Sequence, residues 1–162
     1  MDNIREITLD DVQIVIKAMQ EFSVDYVIFG GIALNIHNVP RGTEDIDMFI
    51  RNSEENINNF LKAFRTLPMF AEITDDELAE LKLNNVFEYG VVKFGGDIEL
   101  DVATTFGELT FDTLQAEIKI VGGIEIKVIT LTQLISMKSN SFRQKDIEDL
   151  ARLKQLGRKD VF

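Results

Sequence analysis

Apolar residues recur every three or four positions in several stretches of the chain, the spacing that places them on one face of a helix. The first stretch begins after Thr8, a candidate N-cap with acidic residues in the turn that follows. Two others open with a Thr that is followed three residues later by Glu or Gln, at Thr74 and Thr130, which is the pattern of a capping box. The predicted helices span residues 8–21, 32–37, 53–67, 74–83, 130–142 and 144–155.

Shorter apolar runs, rich in β-branched and aromatic residues, predict strands. The predicted strands span residues 26–31, 45–50, 86–94, 97–105, 116–121 and 124–130. The last four form two pairs, divided by Gly95-Gly96 and by Gly122-Gly123. Each pair reads as a hairpin whose tight turn has positive φ at the glycines.

The order of these elements predicts a mixed sheet flanked by helices, in an α/β fold of the mixed α+β type. The hairpins in the middle of the chain argue against a doubly wound Rossmann sheet. The length of 162 residues fits a single domain over residues 1–162. Within it we expect a core over about residues 22–130 and a helical C-terminal extension over about residues 131–156.

Composition narrows the chemistry that the chain can support. With no Cys and one His, it has neither disulfides nor thiolate zinc sites, so oxygen ligands would hold any metal, which favours magnesium, calcium or manganese. With a net charge of −11, the chain lacks the basic surface of a general nucleic-acid binder, so long nucleic acid is not an expected partner. No apolar run is long enough for a membrane helix, and the acidic N-terminus does not resemble a secretory signal. We therefore expect a cytoplasmic protein.

A Gly-Gly pair, Gly30 and Gly31, stands where the first predicted strand gives way to a helix. Without a Cβ, glycine lets a ligand approach the backbone closely, and the free N–H groups of a helix N-terminus favour phosphate. The alternative is a tight strand–helix turn without any ligand.

Asp45 and Asp47 are two residues apart on a predicted strand, so both side chains point to one face. Adjacent carboxylates repel each other unless a cation lies between them, so the pair suits a divalent metal; two solvated acids are the alternative. A third carboxylate could come from residues 97–101, where Asp97, Glu99 and Asp101 share a face. Asp101 would join the pair only if its strand lay beside that of Asp45; otherwise it belongs to the polar face of an exposed hairpin.

The pattern GG-x-A-x3-H-x3-R-x-T-x-D-I-D resembles the nucleotidyltransferase superfamily, the fold of DNA polymerase β, in its minimal bacterial branch of AbiEii-like proteins and small antibiotic nucleotidyltransferases. The residues that carry it are Gly30, Gly31, Ala33, His37, Arg41, Thr43, Asp45 and Asp47. Residues 142–153, FRQKDIEDLARL, also resemble a helix of the AbiEii-like branch. Many superfamily members have Gly-Ser where this chain has Gly31 and then Ile32, so a hydroxyl contact to phosphate is missing here.

The resemblance implies a nucleotidyltransferase fold and magnesium-dependent transfer of a nucleoside monophosphate, with manganese as an alternative ion. Asp45, Asp47 and Asp101 would be the metal ligands and the catalytic residues, although the choice of Asp101 over Glu99 rests on pattern alone. The nucleotide-binding residues would be Gly30, Gly31, Arg41, Thr43 and Lys145. A nucleoside triphosphate such as ATP would be the donor, and the acceptor hydroxyl would belong to a small molecule or a protein.

Several of these residues also have a structural interpretation. Arg41 could form a salt bridge with a neighbouring acid, Thr43 could order its loop through a backbone hydrogen bond, and His37 is better explained as packed or hydrogen-bonded than as catalytic. Basic and acidic residues near the last helices could face the triphosphate or pair with each other along a solvated helix. These are Lys138, Arg143, Lys145 and Asp146.

Two other functions are compatible with the sequence. The chain could be a toxin–antitoxin component that acts mainly by binding a partner protein, with weak or absent catalysis. It could also bind calcium without catalysis, although its acids do not follow the spacing of an EF-hand loop.

Overall fold

The computed structural model describes residues 5–39, 42–83, 90–139 and Ala151. Its α-helices are α1 (Leu9–Glu21), α2 (Gly30–Ile36), α3 (Glu54–Arg65), α4 (Asp75–Leu83) and α5 (Leu131–Ser139). Its strands are β1 (Tyr26–Phe29), β2 (Asp45–Ile50), β3 (Val91–Gly95), β4 (Glu99–Ala103), β5 (Thr105–Phe106), β6 (Leu109–Thr110), β7 (Ala116–Val121) and β8 (Ile124–Ile129). Short 3-10 helices span Pro68–Phe70 and Phe111–Thr113.

Side chains cap the helices where the sequence predicts it. Thr8 accepts a hydrogen bond from the Asp11 N–H, and the Asp11 carboxylate accepts one from the Thr8 N–H, which completes a capping box at the start of α1. At the start of α4, the Glu77 N–H donates to the Thr74 hydroxyl at 3.2 Å. The hydroxyl of Thr130 caps α5 in the same way. These caps satisfy N–H groups that the first turn of a helix leaves unpaired.

Six strands form one mixed sheet in the order β3-β4-β2-β1-β8-β7. The pairs β2–β4 and β1–β8 are parallel, and the other three pairs are antiparallel. Strands β5 and β6 form a separate two-stranded hairpin that the sequence did not predict. The expectation of an α/β fold with a mixed sheet and flanking helices is confirmed.

The two faces of the sheet have different roles. One face, the helix face, carries Phe94 of β3, against which Phe60 and Phe64 of α3 pack with ring centroids 5.9 and 4.5 Å away. The other face, the acid face, carries Asp47 and Asp101, because strand residues alternate between faces and these two are register partners. The apolar core therefore fixes the strands whose opposite face presents the carboxylates.

Two predicted boundaries are wrong. The first predicted strand, residues 26–31, ends at Phe29, because Gly30 has φ +68° and already belongs to α2. The first hairpin does not turn at Gly95-Gly96 with positive φ; β3 runs through Gly95, and neither glycine is among the positive-φ residues. A Cβ on Gly96 would lie 2.1 Å from the Met69 carbonyl oxygen, so glycine is required there by a close backbone approach.

The second hairpin follows the prediction, since Gly122 and Gly123 have φ +58° and +81° in the turn between β7 and β8. Apart from Ala151, the predicted helix over residues 144–155 lies outside the described residues, as does part of the strand over residues 86–94. The division into core and C-terminal extension stays a prediction. No helix among the residues described here is long and apolar enough to cross a membrane.

Candidate metal centre

Three carboxylates meet on the acid face of the sheet, where β2 and β4 run side by side. Parallel pairing places Asp47 of β2 opposite Asp101 of β4, and Asp45 lies on the same face of β2. Each of the three offers one oxygen atom within 4.8 Å of the others. The sequence analysis required the strand of Asp101 to lie beside that of Asp45, and the β2–β4 pairing meets this condition.

Burial makes this cluster electrostatically costly. Asp101 is only 6% exposed, and burial together with the nearby carboxylates of Asp45 and Glu99 raises its pKa to about 6. Burial, then the charges of Asp45 and Asp101, hold the pKa of Asp47 well above its usual range. Desolvation and like charge both disfavour ionised carboxylates.

One carboxylate oxygen of Asp101 lacks a hydrogen-bond partner among the described residues. Its Oδ1 atom is buried and has no hydrogen bond within the described part of the chain, whereas its Oδ2 atom lies 3.3 Å from Nζ of Lys93. A buried acceptor without a partner carries a desolvation penalty. A cation bound among the three acids would satisfy this atom and offset their repulsion.

Lys93 is a site residue that the sequence analysis missed. It lies opposite Asp101 in the β3–β4 register, its Nζ is also 4.0 Å from Glu99, and the charge of Asp101 raises its pKa. A turn at Gly95-Gly96 would have paired Lys93 with Ile98 and turned it to the other face. With the turn placed correctly, Lys93 would have been predicted beside Asp101, because a register shift by an odd number of residues moves every side chain to the other face.

Gly30 contacts the carboxylate cluster directly. Phe29 is the register partner of Asp47, and a Cβ on Gly30 would lie 1.9 Å from Oδ2 of Asp47. Positive φ and this close approach both require glycine. Gly31 follows as a buried residue in the first turn of α2, so backbone N–H groups at the start of this helix lie beside the acids.

Thr43 and His37 make structural contacts. The Thr43 hydroxyl lies 3.0 Å from Oδ1 and 3.1 Å from the carbonyl oxygen of Asp45, so it orients that carboxylate and orders the preceding loop. Nε2 of His37 lies 2.7 Å from the carbonyl oxygen of Ile129. Both agree with the structural interpretations of these residues.

Other predicted site residues cannot be placed. Arg41, Arg143, Lys145 and Asp146 lie outside the described residues, as does the side chain of Lys138. Their roles stay predictions from the sequence. Glu99, the alternative to Asp101, faces Asp45 across the strands but is not a member of the three-carboxylate cluster.

The fold matches several solved structures at low sequence identity. A lincosamide antibiotic adenylyltransferase, LnuA, solved with lincomycin bound, has a TM-score of 0.63 and 14% identity over 93% of this chain and 98% of its own. ANT(2")-Ia in complex with adenylyl-2"-tobramycin has a TM-score of 0.59 and 18% identity over 95% and 93%. An antigenic nucleotidyltransferase-like protein from Paracoccidioides brasiliensis has a TM-score of 0.56 and 17% identity over 94% and 79%. At these identities, the matches establish the fold alone.

Sequence comparison gives the family. No curated protein sequence matches the chain. A family model described as "Nucleotidyl transferase of unknown function (DUF2204)" matches residues 8–161. The match spans all the elements described above, including the three carboxylates and the Gly-Gly turn. The resemblance to the nucleotidyltransferase superfamily is thereby confirmed, and the chain belongs to the nucleotidyl transferase family DUF2204.

Proposed function

We propose that this protein transfers a nucleoside monophosphate from a nucleoside triphosphate to an acceptor hydroxyl, with release of pyrophosphate, and that the reaction depends on a divalent cation. The observation that carries the proposal is the cluster of Asp45, Asp47 and Asp101, whose oxygens lie within 4.8 Å of one another. Burial and the mutual repulsion of these acids disfavour their ionised forms in the metal-free chain.

The donor atoms fit magnesium or manganese. All three side chains are carboxylates, which suit hard cations, and the buried Oδ1 of Asp101 has no other partner among the described residues. Asp45, Asp47 and Asp101 would hold the ions. When bound, such ions neutralise the charge that develops on the phosphate oxygens.

Asp101 is the candidate general base. In the metal-free chain, burial raises its pKa to about 6. A bound cation would favour the ionised carboxylate, which is the form that can accept a proton. In the proposed step, a carboxylate oxygen of Asp101 takes the proton of the acceptor hydroxyl. The acceptor oxygen forms a bond to the α-phosphorus, and the bond from that phosphorus to the bridging oxygen breaks to release pyrophosphate.

The phosphates would be bound next to the acids. Gly30 and Gly31 provide backbone N–H groups beside Asp47, and the N-cap residue, Phe29, makes no side-chain hydrogen bond to the first turn. Arg41 and Lys145 remain proposed phosphate ligands on the strength of the sequence pattern. Thr43 acts through Asp45 in this proposal, because its hydroxyl is directed to that residue.

A small or cationic acceptor suits the charge of the protein. The net charge of −11 attracts cations and repels polyanions such as long RNA. LnuA is named an adenylyltransferase of lincosamide antibiotics, and ANT(2")-Ia was solved with an adenylylated aminoglycoside. ATP is therefore the first donor to test, together with small hydroxylated cations as acceptors.

A thermal-shift panel tests the proposal. ATP, GTP, CTP and UTP are added with and without magnesium to wild type, to Asp45→Asn/Asp47→Asn and to Asp97→Asn, an exposed acid outside the cluster. A ligand at 100 times its Kd stabilises by about 2.7 kcal/mol, which corresponds to roughly 5–11 °C for a domain of this size.

We expect a magnesium-dependent shift in wild type and in Asp97→Asn that the double variant lacks. Absence of any shift in wild type would contradict the proposal and favour the toxin–antitoxin alternative, in which the fold acts by binding a partner protein.

A further inference from the structure

Among the described residues, strand β7 presents an unpaired, apolar edge. It is the last strand of the six-stranded sheet, and within the described ranges only β8 pairs with it. Its residues Ile118 and Ile120 are 63% and 72% exposed, more than any other large hydrophobic residue among those described. An edge strand with free N–H and C=O groups is a template for pairing with another chain.

The register shows which backbone groups point to the free edge. The N–H of Lys127 donates to a tyrosine hydroxyl of β1 at 3.3 Å, and the carbonyl oxygen of Glu125 accepts from a glutamine of α1 at 2.6 Å. Both residues therefore direct these groups away from β7. Their partners, Ile118 and Ile120, form non-hydrogen-bonded pairs with β8, so their own N–H and C=O groups point outward. Ala116, two residues before Ile118, directs its N–H and C=O groups outward in the same way.

We propose that two copies of this chain pair through β7 in antiparallel orientation, with Ile118 on the two-fold axis. Ile118 then pairs with Ile118 of the second copy, and Ala116 pairs with Ile120. All three are residues whose backbone groups point outward, so these pairs exchange hydrogen bonds, and the pairs between them are non-hydrogen-bonded. The interface is isologous, as a closed dimer requires, and the proposal does not depend on nucleotidyl transfer.

Charge selects this register. With Ile118 on the axis, Glu117 lies opposite Lys119 of the second copy, and the same pair occurs a second time by symmetry. These residues occupy non-hydrogen-bonded positions, where opposed side chains are closest. In the single chain the two side chains already lie 3.3 Å apart. An axis at Ile120 would instead place Lys119 opposite Val121 and remove both ion pairs.

The pairing also buries the exposed apolar side chains. Ile28 lies on the helix face and pairs with Val128, which in turn pairs with Glu117, so Glu117 is on the helix face as well. Because side chains alternate along a strand, Ile118 and Ile120 lie on the acid face. In the dimer Ile118 packs against its own counterpart, and Ile120 packs across Ala116. The two sheets join into one, and both metal centres face the same side.

Sedimentation velocity of the full chain, from micromolar to submillimolar concentration, tests the association. We expect a reversible dimer in wild type. Glu117→Lys and Lys119→Glu each replace two attractive pairs with two repulsive ones, which should raise the dimer Kd by about tenfold. Combining the two substitutions restores opposite charges and should restore the dimer. The proposal would be overturned if wild type were monomeric at all concentrations, or if the folded double variant failed to recover dimerisation.

Disulfide cross-linking tests the register independently. The chain contains no cysteine, so Ile118→Cys and Ile120→Cys each introduce a single thiol at a similarly exposed position. At position 118 the two thiols would be register partners, within reach of a disulfide. At position 120 the two Cα atoms would be about 13 Å apart along the strands.

We expect mild oxidation to cross-link the Ile118→Cys variant much faster than the Ile120→Cys variant. Equal rates, or faster cross-linking at position 120, would overturn this register. Circular dichroism establishes that each variant is folded, so either result decides the question.

Discussion

Replacing Asp101 with Asn should stabilise the metal-free protein while it removes activity. Burial and the neighbouring carboxylates raise the pKa of Asp101 from 3.8 to about 6. The folded chain thus holds a proton more tightly than the unfolded chain, and stability is lost as the pH rises from about 4 to about 6. Above pH 6 the loss is complete.

The size of the effect follows from the pKa difference. Each pH unit corresponds to about 1.4 kcal/mol, so the rise from 3.8 to about 6 costs about 3 kcal/mol above pH 6. Because the Asp101 side chain is 8% exposed, little of this is screened by solvent. Asparagine keeps the shape and removes the charge. The gain for Asp101→Asn should approach 3 kcal/mol, or about 6–12 °C in Tm.

Urea unfolding at a series of pH values, with a chelator present, measures this difference. Asp97→Asn is the matched control, since it removes an exposed acid beside the same strand. We expect Asp101→Asn to exceed wild type at pH 7.5, to converge with it below pH 4, and to lose its advantage when magnesium stabilises wild type. An Asp101→Asn variant that is no more stable than wild type at pH 7.5 would refute the electrostatic account.

Three further changes test other parts of the structure. Hydrogen bonds from Arg5 lower the pKa of Asp11 to about 2, so Asp11→Asn should remove about 2 kcal/mol of stability at neutral pH. Wild type loses the same stabilisation only as the pH falls from about 4 to 2, and acid titrations monitored by circular dichroism would reveal the difference. Gly30→Ala should cost more than about 1 kcal/mol and displace Asp47, because φ is +68° and the added Cβ meets its carboxylate; a melting curve equal to that of wild type would contradict this. Asn56, 4% exposed, makes three hydrogen bonds to the backbone of Asp25, just before β1, and of Arg51, just after β2. Asn56→Ala should therefore cost about 3 kcal/mol in urea unfolding, with little change in nucleotide binding.

Local sequence was sufficient for most of the elements and for the acid pair. Helix periodicity and capping residues such as Thr8 and Thr74 act within one turn, and a period of two places Asp45 and Asp47 on one face wherever the strand goes. These features need no knowledge of distant contacts, and the predicted helices and strands that fall within the described residues agree with the structure to within a few residues.

Long-range contacts decided what the sequence left open. Asp101 joins the cluster only because β4 lies beside β2, a pairing between residues more than 50 positions apart. Lys93 was missed because the Met69 carbonyl, distant in sequence, requires glycine at Gly96 and shifts the turn. The AbiEii-like placement, which depends partly on residues 142–153, stays a prediction from the sequence.

Manganese binding, followed by electron paramagnetic resonance, tests the central claim most directly. Free Mn²⁺ is titrated with wild type, Asp47→Asn and Asp97→Asn, without nucleotide and then with ATP. The account predicts that wild type and Asp97→Asn bind Mn²⁺ equally, that ATP increases the binding, and that Asp47→Asn binds far less in both cases. Equal binding by Asp47→Asn and wild type would contradict a metal centre built from Asp45, Asp47 and Asp101.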